Sequence, residues 1–89
     1  VPLRPDWICE IVSDSNRTMD TVTKLNRYHQ AGVPYYWILD QLDRTLTVHK
    51  HHADGYVIAL RADDRENVRA EPFDAIEIEV RVLLGDDPV

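Results

Sequence analysis

The residue in this chain best placed to do chemistry is Glu10, a carboxylate inside the apolar run Trp7, Ile8, Cys9, Ile11, Val12. An ionised carboxylate in an apolar setting must be paired, bound to a metal, or not truly buried, because its desolvation is otherwise too costly. Two of those three readings imply a site. Asp6 stands four residues earlier and shares the parity of Glu10. Within one strand, however, four residues at ~3.3 Å each hold the two carboxylates roughly 13 Å apart. Magnesium takes its oxygens at about 2.0 to 2.1 Å, so Asp6 and Glu10 cannot share one ion. A second carboxylate for Glu10 has to come from a neighbouring strand, only ~4.8 Å away, and the expected place for that strand is upstream of Val1.

Lys24 is the second chemical residue. Turned at about 100° per residue, Met19, Val22, Leu25 and Tyr28 define a buried arc, with Lys24 at its edge. From that rim a lysine can snorkel toward a sheet. Its ammonium could orient a metal-bound water or neutralise charge on a transferring phosphate. Spacing alone leaves other readings open. Asp20 and Lys24 form an i, i+4 pair contributing about 0.3 to 0.5 kcal/mol when exposed. Glu10 could bind backbone amides at a strand end, and Asp6 could cap a turn after Pro5.

Positioning these groups requires a strand and a helix. Trp7 to Val12 reads as a central strand covered on both faces, the spine of a sheet, followed by the polar cluster Ser13 to Asn16. The helix ends near Ala31, with Gly32 as a stop and Pro34 beyond, and its N-cap is Ser15, Asn16 or Thr18. Tyr35 to Asp40 and Thr45 to Lys50 read as a hairpin across Gln41 to Arg44, with Leu46 and Val48 on one face of its half-exposed second strand. Asp54-Gly55 turns into a strand over Tyr56 to Leu60, and the strict alternation of Ile76 to Val82 predicts a final strand with one wet face. The predicted class is α+β: a mixed sheet of about five strands, its first strand lying beside Tyr35 to Asp40 through a crossover helix.

Size and charge set bounds. Eighty-nine residues allow a single domain over 1–89 with a thin core. The absence of an initiator methionine and of a leader predicts a piece of a longer cytoplasmic protein. No apolar stretch approaches the roughly 20 residues that span a bilayer. The single Cys9 reads as a small packed hydrophobe in a reducing compartment. A net charge of −6 gives no overall electrostatic footprint of a nucleic-acid binder, so any such chemistry must be local. Arg17, Lys24 and Arg27 lend the helix the basic side that DNA would approach.

Pro5 to Ser13, then Asp20, Lys24, Tyr28, Ala31 to Pro34 and Tyr36 to Asp40, resemble in order and spacing the Uma-type restriction endonuclease family of bacteria, part of the PD-(D/E)xK nuclease superfamily. The likeness runs over nearly the whole chain and covers the C-terminal half of a family member, an incomplete restriction-endonuclease-like core. It implies a Mg²⁺- or Mn²⁺-dependent endonuclease hydrolysing phosphodiester bonds in DNA. Glu10 would be the metal-binding carboxylate, the carbonyl of Ile11 a backbone ligand, and Lys24 the catalytic lysine moved from strand to helix. Asp6, Asp20 and Tyr28 would support these groups without touching the ion. The usual lysine position, two after the acid, holds Val12 here, and the family's other metal-binding aspartate belongs to a preceding strand. Asp14 stands where proline is usual, and Tyr35 where an acid is frequent.

The remaining candidates read blandly. His49, Lys50, His51 and His52 lack a helical frame and read as a solvated turn. Trp37, Tyr35 and Tyr36 read as core and rim rather than base-stacking groups, and His29 as a partly buried helix residue. The competing function is a non-catalytic module that keeps the fold and covers its open edges by homo-oligomerisation.

Overall fold

The computed structural model describes residues 4–13 and 17–86, and of residues 17–20 the backbone alone. Along the chain run β1 (Trp7–Val12), α1 (Arg17–Gln30), β2 (Tyr35–Asp40), β3 (Thr45–His52), β4 (Gly55–Asp63), β5 (Asn67–Val68), β6 (Ile78–Glu79) and α2 (Val80–Leu83). The fold is α+β. A four-stranded mixed sheet has the order β1-β2-β3-β4, and β5 and β6 form a separate two-stranded ladder.

β1 and β2 are parallel, with Glu10 opposite Ile38 and Val12 opposite Asp40, while β2–β3 and β3–β4 are antiparallel. Parallel neighbours cannot be joined by a tight turn, and α1 occupies the connection between them. The helix stops where Gly32 adopts φ +77°: its N–H donates to the His29 carbonyl at 3.0 Å and that of Val33 to the Tyr28 carbonyl at 3.1 Å. These two bonds close the last turn in the manner that favours glycine.

The two sheet faces are covered differently. One carries Cys9, Trp37, Leu39, Leu46, Val48 and Ala62, which pack with Val68, Ala70, Val80 and Leu84 from the C-terminal segment to form the main core. The other carries Glu10, Tyr36, Ile38 and His49 and lies under α1. The apolar mass therefore sits on the side of the sheet away from the helix.

Several expectations are corrected. The spine is β2, buried continuously from Tyr36 to Leu39, whereas β1 is an edge strand among the described residues, with Ile11 61% exposed. A continuous apolar run does not distinguish a central strand from an edge strand whose outer residues face solvent. Among the described residues the main sheet holds four strands, where about five were expected. Val22, placed in the buried arc, is 54% exposed. It borders an open cleft of about 290 Å³ that separates it from the sheet, whose walls mix Val12, Ile38 and Ile58 with Asp40, Thr47 and Arg61. The side chain of Met19 in the same arc, and Ser15 and Asn16 among the N-cap candidates, lie outside the described residues. Thr18 falls inside α1, not before it.

The alternating Ile76–Val82 segment is not one strand. Only Ile78–Glu79 pairs, because β5 offers just Asn67 and Val68 as partners. The chain then turns helical, and the fully buried positions are Val80 and Leu84, a helical spacing. His49 also departs from a solvated turn: it is 8% exposed, with its Nδ1 3.1 Å from the Tyr36 carbonyl.

Candidate active site

Strand alternation places Glu10 on the α1 face of β1, between Ile8 and Val12. Lys24 and Tyr28 lie one helical turn apart on the facing side of α1 and so present their tips to the same point. Lys24 Nζ donates to Glu10 Oε2 at 3.1 Å, and Tyr28 Oη donates to Oε1 at 3.3 Å. Both carboxylate oxygens are thus met from the helix. The cation and hydroxyl supply the compensation that a carboxylate in an apolar strand requires.

Glu10 marks its surroundings electrostatically. Burial first, and the neighbouring Glu10 charge second, push the Cys9 thiol above its ordinary value. The same two causes in the same order raise the Tyr36 phenol. Tyr36 is 1% exposed and meets Tyr28 edge to face at 5.2 Å, so a buried ring backs the side chain that touches Glu10. The ion pair itself is open: its side chains keep 36% exposure at Lys24 and 24% at Glu10. A ligand can reach it from solvent.

Ile11 contributes through its backbone. The Gln41 N–H donates to the Val12 carbonyl at 2.9 Å, so the backbone groups of Val12 and, two residues back, of Glu10 point toward β2. By alternation the Ile11 carbonyl points away from β2, toward the outer edge of β1. A carboxylate and a carbonyl adjacent in sequence at an open strand edge are hard oxygen donors of the kind magnesium takes, and they fit part of its shell. Among the described residues no group of three or more His, Cys, Asp or Glu side chains is arranged to hold a metal.

The other residues proposed from sequence divide. Asp6 is exposed just ahead of β1, and no described hydrogen bond or ion pair joins it to Glu10. The side chain of Asp20, and with it the alternative Asp20–Lys24 pair, lies outside the described residues. Trp37 and Tyr36 are buried and Tyr35 is half-buried, in keeping with core and rim. His29 and His51 stack at 4.3 Å with Tyr56 against their edges, tying the end of α1 to β3. Sequence reasoning missed Glu71, whose carboxylate receives Tyr35 Oη at 2.7 Å and Lys50 Nζ at 3.2 Å, and whose carbonyl receives Trp37 Nε1 at 2.8 Å. Nothing in local pattern links Glu71 to β2, since the contact spans 34 to 36 residues of chain.

A mixed sheet that offers one carboxylate to a lysine on its covering helix suits the nuclease-like class. The chain belongs to the Uma2 family: the family described as "Uma2: Putative restriction endonuclease" matches residues 1–82 of the 89. No curated protein matches the chain. Among the described residues, no helix is long and apolar enough to cross a membrane.

Proposed function

We propose that this chain forms the site-bearing part of a metal-dependent DNA endonuclease of the cytoplasm, with Glu10 and Lys24 as its catalytic residues. The observation that carries the reading is the 3.1 Å contact between Lys24 and Glu10, made across 14 residues of sequence in a site open to solvent. Glu10 and the Ile11 carbonyl would hold Mg²⁺ or Mn²⁺, and the reading calls for a further acidic ligand on a strand pairing with the outer edge of β1. A divalent ion bound there would polarise the phosphoryl oxygen and lower the pKa of water. Hydrolysis places the water oxygen on phosphorus, breaks a P–O bond and leaves a proton on the departing oxygen. Lys24 supplies a compact positive charge where charge develops on the phosphate. Tyr28 holds the Glu10 carboxylate in orientation, and Tyr36 fixes the ring of Tyr28.

The test uses the full-length protein. Mg²⁺- or Mn²⁺-dependent nicking of plasmid DNA should vanish in Glu10→Ala and in Lys24→Ala while circular dichroism stays unchanged. Undiminished nicking by both variants would end the assignment.

A second reading, a non-catalytic self-associating module, is favoured by the exposure of Val57 and Ile58 on β4, the other outer strand of the sheet. It predicts a homo-oligomer at micromolar concentration and no nicking by the wild-type protein.

A further inference from the structure

A second hollow, of about 290 Å³, lies at the end of the sheet where β2 begins. Its walls are Arg4, Gly32, Pro34, Tyr35, Lys50 and His51. These come from the lead into β1, the end of α1, β2 and β3. They meet because Tyr35 pairs with Lys50 across the ladder and the His51 N–H donates to the Pro34 carbonyl at 2.9 Å. In a chain with 16 acidic and 10 basic residues, two permanent cations and a histidine converge on one concavity.

The groups are held in place. Gly32 admits the Arg4 side chain, since a Cβ there would sit 3.0 Å from Arg4 Nη1, and φ +77° already requires glycine. Among the described residues the Arg4 guanidinium has no hydrogen bond or ion pair, so its fork of donors is available. Lys50 gives one bond to Glu71 and keeps its other donors. His51 is fixed by stacking on His29 and by an Nε2 bond to the His29 carbonyl at 3.2 Å. Two carboxylates act on Lys50, Glu71 through its bond and Asp74 more weakly without one, while Arg4, also lining the hollow, is bonded to neither.

We propose that this hollow binds a phosphate group, gripped by Arg4 and Lys50, and that the phosphodiester of a nucleic-acid strand is its ligand. The guanidinium fork matches the two non-bridging oxygens of a phosphodiester, and the Lys50 ammonium adds a point charge beside them. Pro34 and Tyr35 give the hollow an apolar floor that screens these contacts less than water would. The site is separate from Glu10 and needs no metal.

The test is a titration of ¹⁵N-labelled full-length protein in chelator-containing buffer, so that any ion at Glu10 is removed. The probes are a short single-stranded oligodeoxynucleotide without terminal phosphate and, separately, inorganic phosphate. Saturable shifts of the Gly32 and His51 amides with the oligonucleotide support the diester, and saturation by inorganic phosphate alone assigns the site to free phosphate. Arg4→Gln should weaken binding about tenfold, the loss of one charge-assisted group. Glu71→Gln should tighten it by freeing Lys50, an opposite change that a purely structural role would not produce. Absence of saturable shifts with either probe, or unchanged affinity in Arg4→Gln, overturns the proposal. Because no metal is present, either result leaves the Glu10 reading to its own assay.

Discussion

At the scale of single residues, the Glu10 carboxylate is the centre on which several measurable properties converge. Replacing it by glutamine removes the charge that, after burial, raises the Cys9 thiol. The pH profile of Cys9 alkylation in Glu10→Gln should therefore move to lower pH, yet stay above that of a free thiol because burial persists. Tyr28→Phe deletes the bond to Oε1 and keeps the ring. If Tyr28 orients the carboxylate, nicking should slow by about fivefold, as expected for one neutral donor worth about 1 kcal/mol, without loss of fold. His49 supplies a pH dependence of stability. Burial lowers its pKa from the ordinary 6.5 despite its bond to the Tyr36 carbonyl. The unfolded chain then takes up a proton before the folded one does. Stability should fall as pH drops below 6.5 and go on falling until the folded-state value is passed. Thermal melts between pH 7.5 and about 5 should show this slope, and His49→Gln should flatten it. The meeting of Glu10 and Lys24 was legible in the sequence because an acid in an apolar run and a lysine at the rim of a helical arc are local signals. The contacts of Glu71 and the place of Arg4 beside Gly32 were not, since they arise only when distant segments are brought together.

At the scale of elements, the period of the apolar pattern located strands and helix well but misjudged what covers them. Trp7–Val12, Tyr35–Asp40 and the α1 stop at Gly32 follow from β-rich composition and a left-handed glycine, both set by near neighbours. The burial of β1 and the fate of Ile76–Val82 depend on how many partners a strand finds, which no local pattern contains. Period 2 in the final segment was overridden by the two-residue length of β5 and the packing of Val80 and Leu84. The energetic weight of the two faces should differ accordingly. Leu46→Ala, at a position fully buried in β3, should cost about 2 to 5 kcal/mol in urea unfolding, and Val22→Thr, on the open side of α1, no more than about 0.5 kcal/mol.

At the scale of the whole molecule, the sheet divides two tasks. The C-terminal segment packs the main core on one face, and α1 holds the Glu10–Lys24 pair on the other. The two β-edges also differ. β1 carries the Ile11 carbonyl at its rim, and β4 offers Val57 and Ile58 to solvent. If the β4 edge self-associates, Ile58→Lys should shift sedimentation toward the monomer at fixed concentration while leaving the melting temperature of the monomer unchanged within a few degrees. The net charge of −6 opposes DNA over the whole surface, so DNA bound as proposed would rest on the few cations near α1 and at the Arg4–Lys50 hollow. A filter-binding salt titration should accordingly give a shallow slope, close to the number of those cations.

The placement of the apolar core on the side of the sheet away from Glu10 bears on how such a protein ages in evolution. If Glu10 and Lys24 are catalytic as proposed, a change that removes both together strands no unpartnered charge and spares the main core, so a lineage could retire the chemistry without dismantling the architecture. Descendants with intact scaffolds and neither charge at these two positions would then be the expected outcome of relaxed selection, available for recruitment to new tasks.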